Sequence, residues 1–394
     1  MINFEYYSPT QFVFGKDREK EVGSLIKKHG GHKVLVHYGT CSVVKSGLLD
    51  RVINSLKDND IEYVLLGGVL PNPRDTKIYE GVSICKSQGI DFILAVGGGS
   101  VIDSAKGIAV GALYNGDVWD FYSSPKPVER ALPIGTILTI AAAGSEGSGA
   151  SVVTREKDLL KRRMFSNLVK PKFSILNPEL TYTLPNYQTA CGAVDIMAHV
   201  FERYFTNTQE VEITDRMCEA ILKTIIKEAP IALANPCDYG ARANIMWAGT
   251  CAHSDIVGVG REQDWGSHAL EHELSGLYDV AHGAGLAVIM PSWMEDVYKH
   301  DIDRFAMMAV NVFNCKLNKE HPELTAFEGI NEFRIFLHSI GMPINFHELG
   351  AKKEDIDTLV KQLFVDNRKI GAFVNITPEV AKEIYLIACN AKVK

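Results

Sequence analysis

At 394 residues, 46% hydrophobic and 23% charged, the chain has an ordinary globular composition and exceeds the usual size of one domain, so two domains are expected. A net charge of −7 without any long Lys/Arg run argues against a nucleic-acid or anionic-membrane surface. No uninterrupted stretch of about 18 apolar residues occurs, which argues against a membrane span.

The opening residues, MINFEYYSPTQFVFG, lack the basic start and apolar block of a secretion signal. Eight cysteines are scattered at 41, 85, 191, 218, 237, 251, 315 and 389, with no CxxC pair. In a chain of this length they read as buried free thiols in a reducing compartment, so a cytoplasmic location is expected.

Residues 3–14 alternate, are rich in Phe and Tyr, and read as one or two short strands. Residues 19–29 predict an amphipathic helix stopped by Gly30-Gly31. A buried strand follows at 33–37 (KVLVH), then a helix at 47–59, a strand at 62–66, a helix at 76–89 and a third buried strand at 92–96 (FILAV). Strands alternating with helices imply parallel βαβ units and a doubly wound sheet.

The FILAV strand runs into Gly97-Gly98-Gly99-Ser100 and then a helix-like segment, VIDSAKGIAVGAL. A strand, a glycine turn and a helix start make an anion cradle, because bare backbone N–H groups and the positive helix end face a phosphate. The turn is not the GxGxxG fingerprint. It serves equally as a tight turn, with Ser100 and Asp103 as N-terminal caps. Residues 133–139 form a fourth strand, 152–173 read as polar, and 174–176 form a last short strand.

Beyond Leu184-Pro185 the character changes. Residues 188–205, 210–232, 239–257, 263–277, 282–298, 301–313, 327–340, 353–369 and 378–390 all read as helices. The fold expected is an α/β, Rossmann-like dinucleotide-binding domain over 1–183, then an all-α domain over 184–394.

Two histidine-bearing segments stand out in the helical half: 190–202 (ACGAVDIMAHVFE) and 265–285 (WGSHALEHELSGLYDVAHGAG). Asp195 and His199 are four residues apart, as are His268 and His272, and residues at that spacing share a helix face. His282 follows between small residues. Singly, each histidine reads as a core or surface residue. Together they offer the imidazole and carboxylate ligands that zinc or ferrous iron accepts.

These two segments, with GGGSVIDSAK at 97–106, resemble the iron-dependent (group III) alcohol dehydrogenases, in their butanol-dehydrogenase-like branch. The resemblance spans essentially the whole chain. It implies that Asp195, His199, His268 and His282 bind one divalent metal, Fe2+ or Zn2+, and that His272 stays unligated beside the nicotinamide. It further implies that Gly98, Gly99 and Ser100 wrap the cofactor pyrophosphate. Asp103, Thr139 and Lys161 would contact the ribose and nicotinamide side, Asn72 would lie near the adenosine half, and the assembly would be a homodimer. Two positions depart from the family pattern: Ala143 replaces a frequent Thr, and Asn177 a frequent Asp.

Cofactor choice is read from the loop after KVLVH. An NAD-selective enzyme places a carboxylate there, to accept from the ribose 2′-hydroxyl and repel a 2′-phosphate. This loop, Tyr38-Gly39-Thr40-Cys41-Ser42, has no acid before Asp50. Gly39 opens space and Ser42 offers a hydroxyl, so NADP(H) is expected over NAD(H). The function expected is reduction of a small aldehyde such as butanal to its primary alcohol, or the reverse. The alternatives are a dehydroquinate-synthase-like lyase, a glycerol-dehydrogenase-like polyol oxidation, and a non-catalytic dinucleotide sensor. Few Arg or Lys residues flank the ligand segments, which disfavours a lyase acting on an acidic substrate.

Overall fold

The computed structural model describes all residues except 125, 143, 366–368 and 394. The departure at Ala143 lies outside the described residues. The chain divides into two compact units, Tyr7–Leu184 and Pro185–Lys394, the latter including Met1–Tyr6.

The first unit carries strands β1 (Gln11–Phe14), β2 (Lys33–Tyr38), β3 (Glu62–Leu66), β4 (Phe92–Gly97), β5 (Ile134–Leu138), β6 (Ala150–Arg155), β7 (Leu160–Phe165) and β8 (Phe173–Leu176). Its helices are α1 (Val22–Lys28), α2 (Ser42–Lys45), α3 (Leu48–Lys57), α4 (Asp75–Gln88), α5 (Gly99–Ala112) and α6 (Asp120–Ser123). Six strands form one parallel sheet in the order β1-β8-β5-β4-β2-β3. Central β4 is buried at every position, which is why its sequence is a continuous apolar run. Phe92, Leu94 and Val96 join Val34 and Val36 in one core with Ile26 of α1 and Val52 and Leu56 of α3. The pleat turns Ile93 and Ala95 to the opposite face, which α5 covers with α4 packed against it.

Three expectations need correction in this unit. Residues 3–10 carry no strand, and the first strand is the four-residue edge β1. The helix expected over 19–29 begins as a 3-10 turn at Arg18–Glu21 and becomes α-helical only at Val22. The stretch read as merely polar contains an antiparallel hairpin, β6 with β7, turning at Leu159 in the left-handed region (φ 58°). Its charged run Lys161-Arg162-Arg163 hid the alternation, because Lys161 and Arg162 are buried despite their charge.

The second unit is helical: α7 (Asn186–Tyr204), α8 (Glu212–Ala234), α9 (Tyr239–His253), α10 (Gly266–Tyr278), α11 (His282–Val297), α12 (Ile302–Phe313), α13 (Pro322–Ser339), α14 (Phe346–Leu349), α15 (Ile356–Leu363) and α16 (Pro378–Asn390). Helix α13 starts earlier than expected, with Pro322 in its first turn, where the missing N–H costs nothing. Helix α15 is shorter than the 353–369 expected, following a 3-10 turn at Lys353–Asp355. Helices α7 and α11 are the most deeply buried and pack together. Gly283 permits their approach: a Cβ there would lie 2.0 Å from the carbonyl oxygen of Cys191. Among the described residues, no helix is long and apolar enough to cross a membrane.

Candidate functional site

Helix α7 carries Asp195 and His199 one turn apart, with His199 Nε2 3.3 Å from Asp195 Oδ1. His268 lies in the first turn of α10, and His282 is the first residue of α11. His282 Nε2 is 3.8 Å from the same Asp195 oxygen. Asp195, His268 and His282 each offer a ligating atom, all within 4.8 Å of one another. The His199 and His268 ring centroids are 4.6 Å apart, and those of His268 and His282 5.4 Å. Asp195, His199 and His268 are buried, and the His282 side chain is 23% exposed. Burial, then the neighbouring His253, His268 and Arg203, holds the His199 pKa well below the ordinary imidazole value, so its ring is neutral and can offer a lone pair.

Two buried carboxylates that sequence reading did not single out stand behind this group. Glu202 Oε1 lies 2.7 Å from His268 Nδ1, and Glu271 Oε2 contacts His282 Nδ1. Burial raises the Glu202 pKa, but donors led by His268 outweigh it and keep the carboxyl below its usual range. An ionised carboxylate only accepts, so His268 donates to it from Nδ1, and Nε2 is the ring nitrogen left for another partner. That Nε2 is buried with no hydrogen-bond partner among the described residues. A buried carboxylate among imidazole nitrogens is a donor set that fits a divalent metal.

His253 was also missed. Its ring stacks on His199 with centroids 4.2 Å apart, and Trp265 meets His199 edge-on at 5.6 Å. Neither has a local sequence signal, since the contacts join different elements. His272 is half-buried, with its ring 5.6 Å from His282 and 6.4 Å from His268. It groups with Glu271 and His282 rather than with Asp195.

In the first unit, Gly39, Gly98, Gly99, Ser100 and Thr139 lie just beyond the carboxyl ends of β2, β4 and β5. Strand β2 leads to β3 on one side of the sheet and β4 to β5 on the other, so a topological switch point falls between β2 and β4. Gly39 follows β2, while Gly98 caps α5 directly after β4 and is followed by Gly99 and Ser100. A Cβ on Gly39 would meet nothing closer than 3.8 Å, so the chain's own packing does not require a glycine there. Ser42 is exposed at the start of α2. The Thr139 N–H donates to Gly97 O at 3.1 Å, tying the β5 end to the β4 end.

The unforeseen hairpin brings Lys161 to Asn72, with Nζ donating to Oδ1 at 3.1 Å. Asn72 takes a left-handed conformation, φ 51°. Asp103 accepts from Ser145 Oγ at 2.5 Å and from the Val152 N–H at 2.9 Å. Both of its oxygens therefore brace the turn and hairpin. Asn177, the second departure, donates to Glu19 Oε2 at 2.9 Å and caps the turn at Pro178–Thr181.

Two family models match the chain. One, described as iron-containing alcohol dehydrogenase, spans residues 9–178. The other, the C-terminal part of the Fe-containing alcohol dehydrogenase family, spans 189–389. NADH-dependent butanol dehydrogenase B of Clostridium acetobutylicum is 41% identical over 391 residues, 98% of this chain and 99% of that one. The NADPH-dependent aldehyde reductase YqhD of Escherichia coli is 36% identical over 392 residues, again 98% and 99%. The crystal structure of NADH-dependent butanol dehydrogenase A from Thermotoga maritima superposes with a TM-score of 0.96 at 39% identity, covering 99% of each chain.

Proposed function

Because the chain belongs to the iron-containing alcohol dehydrogenase family, we propose that it interconverts small primary alcohols and aldehydes, butanol and butanal in kind, using NADP(H) and one divalent metal. The observation that carries this is the meeting of Asp195, His268 and His282, whose ligating atoms all lie within 4.8 Å of one another. Asp195, His199, His268 and His282 would hold Fe2+ or Zn2+, since both accept this donor set. An ion held there would supply Lewis acidity toward a substrate oxygen. Reduction consumes one hydride and one proton. We assign the proton to His272, a half-buried imidazole outside the ligand set that can exchange with solvent.

Gly98, Gly99 and Ser100 suit a pyrophosphate at the positive end of α5. Thr139, Asp103 and Lys161 are assigned to the ribose and nicotinamide side, Asp103 through the backbone that it braces. Asn72, held by Lys161, is assigned to the adenosine half. The named relatives divide between NADH and NADPH, so cofactor choice rests on the Gly39–Ser42 loop, which carries no acid to repel a 2′-phosphate. Eight free cysteines suit a reducing, cytoplasmic setting. The edge position of β1, with exposed Tyr7 and Phe14, suits pairing with a second copy as a homodimer.

Butanal turnover by the anaerobic, metal-loaded protein, followed as loss of reduced-cofactor absorbance, tests this reading. Consumption is expected with NADPH, at a kcat/KM at least about tenfold above that with NADH, a difference of about 1.4 kcal/mol. No consumption with either cofactor would overturn the activity. Equal or better use of NADH would overturn the cofactor assignment alone.

A further inference from the structure

We infer that Glu202 and Glu271 are positioning residues that hold His268 and His282 in their metal-facing tautomers and so govern how firmly the metal is retained. The inference rests on the metal site proposed above and concerns residues outside its ligand set.

The two carboxylates are built alike. Glu202, on α7, accepts the His268 Nδ1–H at 2.7 Å and the Ser267 hydroxyl at 2.5 Å on one oxygen. Glu271, inside α10, contacts His282 Nδ1 with one oxygen and accepts the Ser275 hydroxyl on the other. Both side chains are at most 1% exposed. Each imidazole is thus pinned through Nδ1, leaving Nε2 for the site, and each serine hydroxyl steadies the carboxylate that does the pinning. Gly285 makes room for the second arrangement, since a Cβ there would lie 2.6 Å from Glu271 Oε1.

An anionic acceptor on Nδ1 fixes ring orientation and raises the basicity of Nε2, which strengthens its bond to a cation. His199 has no such support: its Nδ1 is buried without a hydrogen-bond partner among the described residues, and His253 stacks on the ring. Glu202 also accepts the backbone N–H groups of Trp265 and His268 at the start of α10, so capping is a competing role for it. Glu271, several residues into that helix, has no capping position, and it separates the two roles.

The test measures zinc affinity of the full-length protein by chelator competition, with Glu271→Gln and Glu202→Gln beside the parent. Gln keeps the size and one acceptor but removes the charge. Each substitution is expected to weaken zinc binding by about 10–100-fold. The visible spectrum of the cobalt(II)-loaded protein should shift, and in Glu271→Gln the melting temperature of the metal-free protein should stay unchanged. Should Glu202→Gln fail to fold, Glu271→Gln decides alone. Unchanged zinc affinity in Glu271→Gln, with the parent binding zinc, would overturn the inference and leave the site intact. So would two ions on the parent falling to one in Glu271→Gln, because Glu271 would then be a ligand. A parent that binds no zinc, iron or cobalt would overturn the site itself and this inference with it.

Discussion

His268 and His272 sit one turn apart on the same helix but in different surroundings. His268 is buried, and Glu202 pins its Nδ1. His272 is half-buried, and its ring centroid lies 5.6 Å from that of His282. The proposed roles follow from that difference: a ligand must be held in a fixed orientation, whereas a proton carrier must meet solvent. His272→Ala is therefore expected to keep the full metal content and lose about 10²–10⁴-fold in kcat, measured by elemental analysis and steady-state kinetics on the same sample. Loss of the metal would make His272 a ligand, and an unchanged kcat would make it scaffold. Asp195 with His199, and His268 with His272, were nominated because spacing by four on a helix is a local signal. Glu202 and Glu271 were not. Glu202 and His268 are 66 residues apart in the chain, and no periodicity links them.

At the scale of elements, His37 joins three of them. It lies within β2, donates from Nδ1 to Leu66 O at the end of β3 (3.0 Å), and accepts on Nε2 from Ser104 Oγ of α5 (2.9 Å). Complete burial, opposed by the Leu66 hydrogen bond, pushes its pKa down from 6.5 to about 4. The unfolded chain therefore binds the proton first, so stability is full above the unfolded value and falls as pH drops from there toward the folded value. The loss from this one residue is about 2 kcal/mol at pH 5. Urea unfolding should show a smaller drop between pH 7 and pH 5 in His37→Gln than in the parent, by about that amount; equal drops would refute it. In the sequence KVLVH is simply an apolar strand, and nothing local marks this histidine's partners. The bounds of α16 are legible because Thr377 caps the helix and Pro378 opens it. The β6–β7 hairpin is not, because burial of Lys161 and Arg162 is decided by tertiary partners, which a charged run conceals.

At the scale of the molecule, the two halves were legible for a simple reason. Buried parallel strands and amphipathic helices write different periods, and the change at Pro185 is sharp. Each half then contributes one kind of site: glycine turns at the carboxyl ends of parallel strands in the first, and a carboxylate among imidazoles on packed helices in the second. The chain belongs to the iron-containing alcohol dehydrogenase family, and the proposed function assigns the cofactor to the first and the metal to the second. The proposed activity depends on the second of them, and metal content per chain is its sharpest test. After anaerobic reconstitution and removal of loose ions, elemental analysis should find one divalent ion per chain in the parent and essentially none in His268→Ala. A full complement of metal in His268→Ala, or none in the parent, would contradict it.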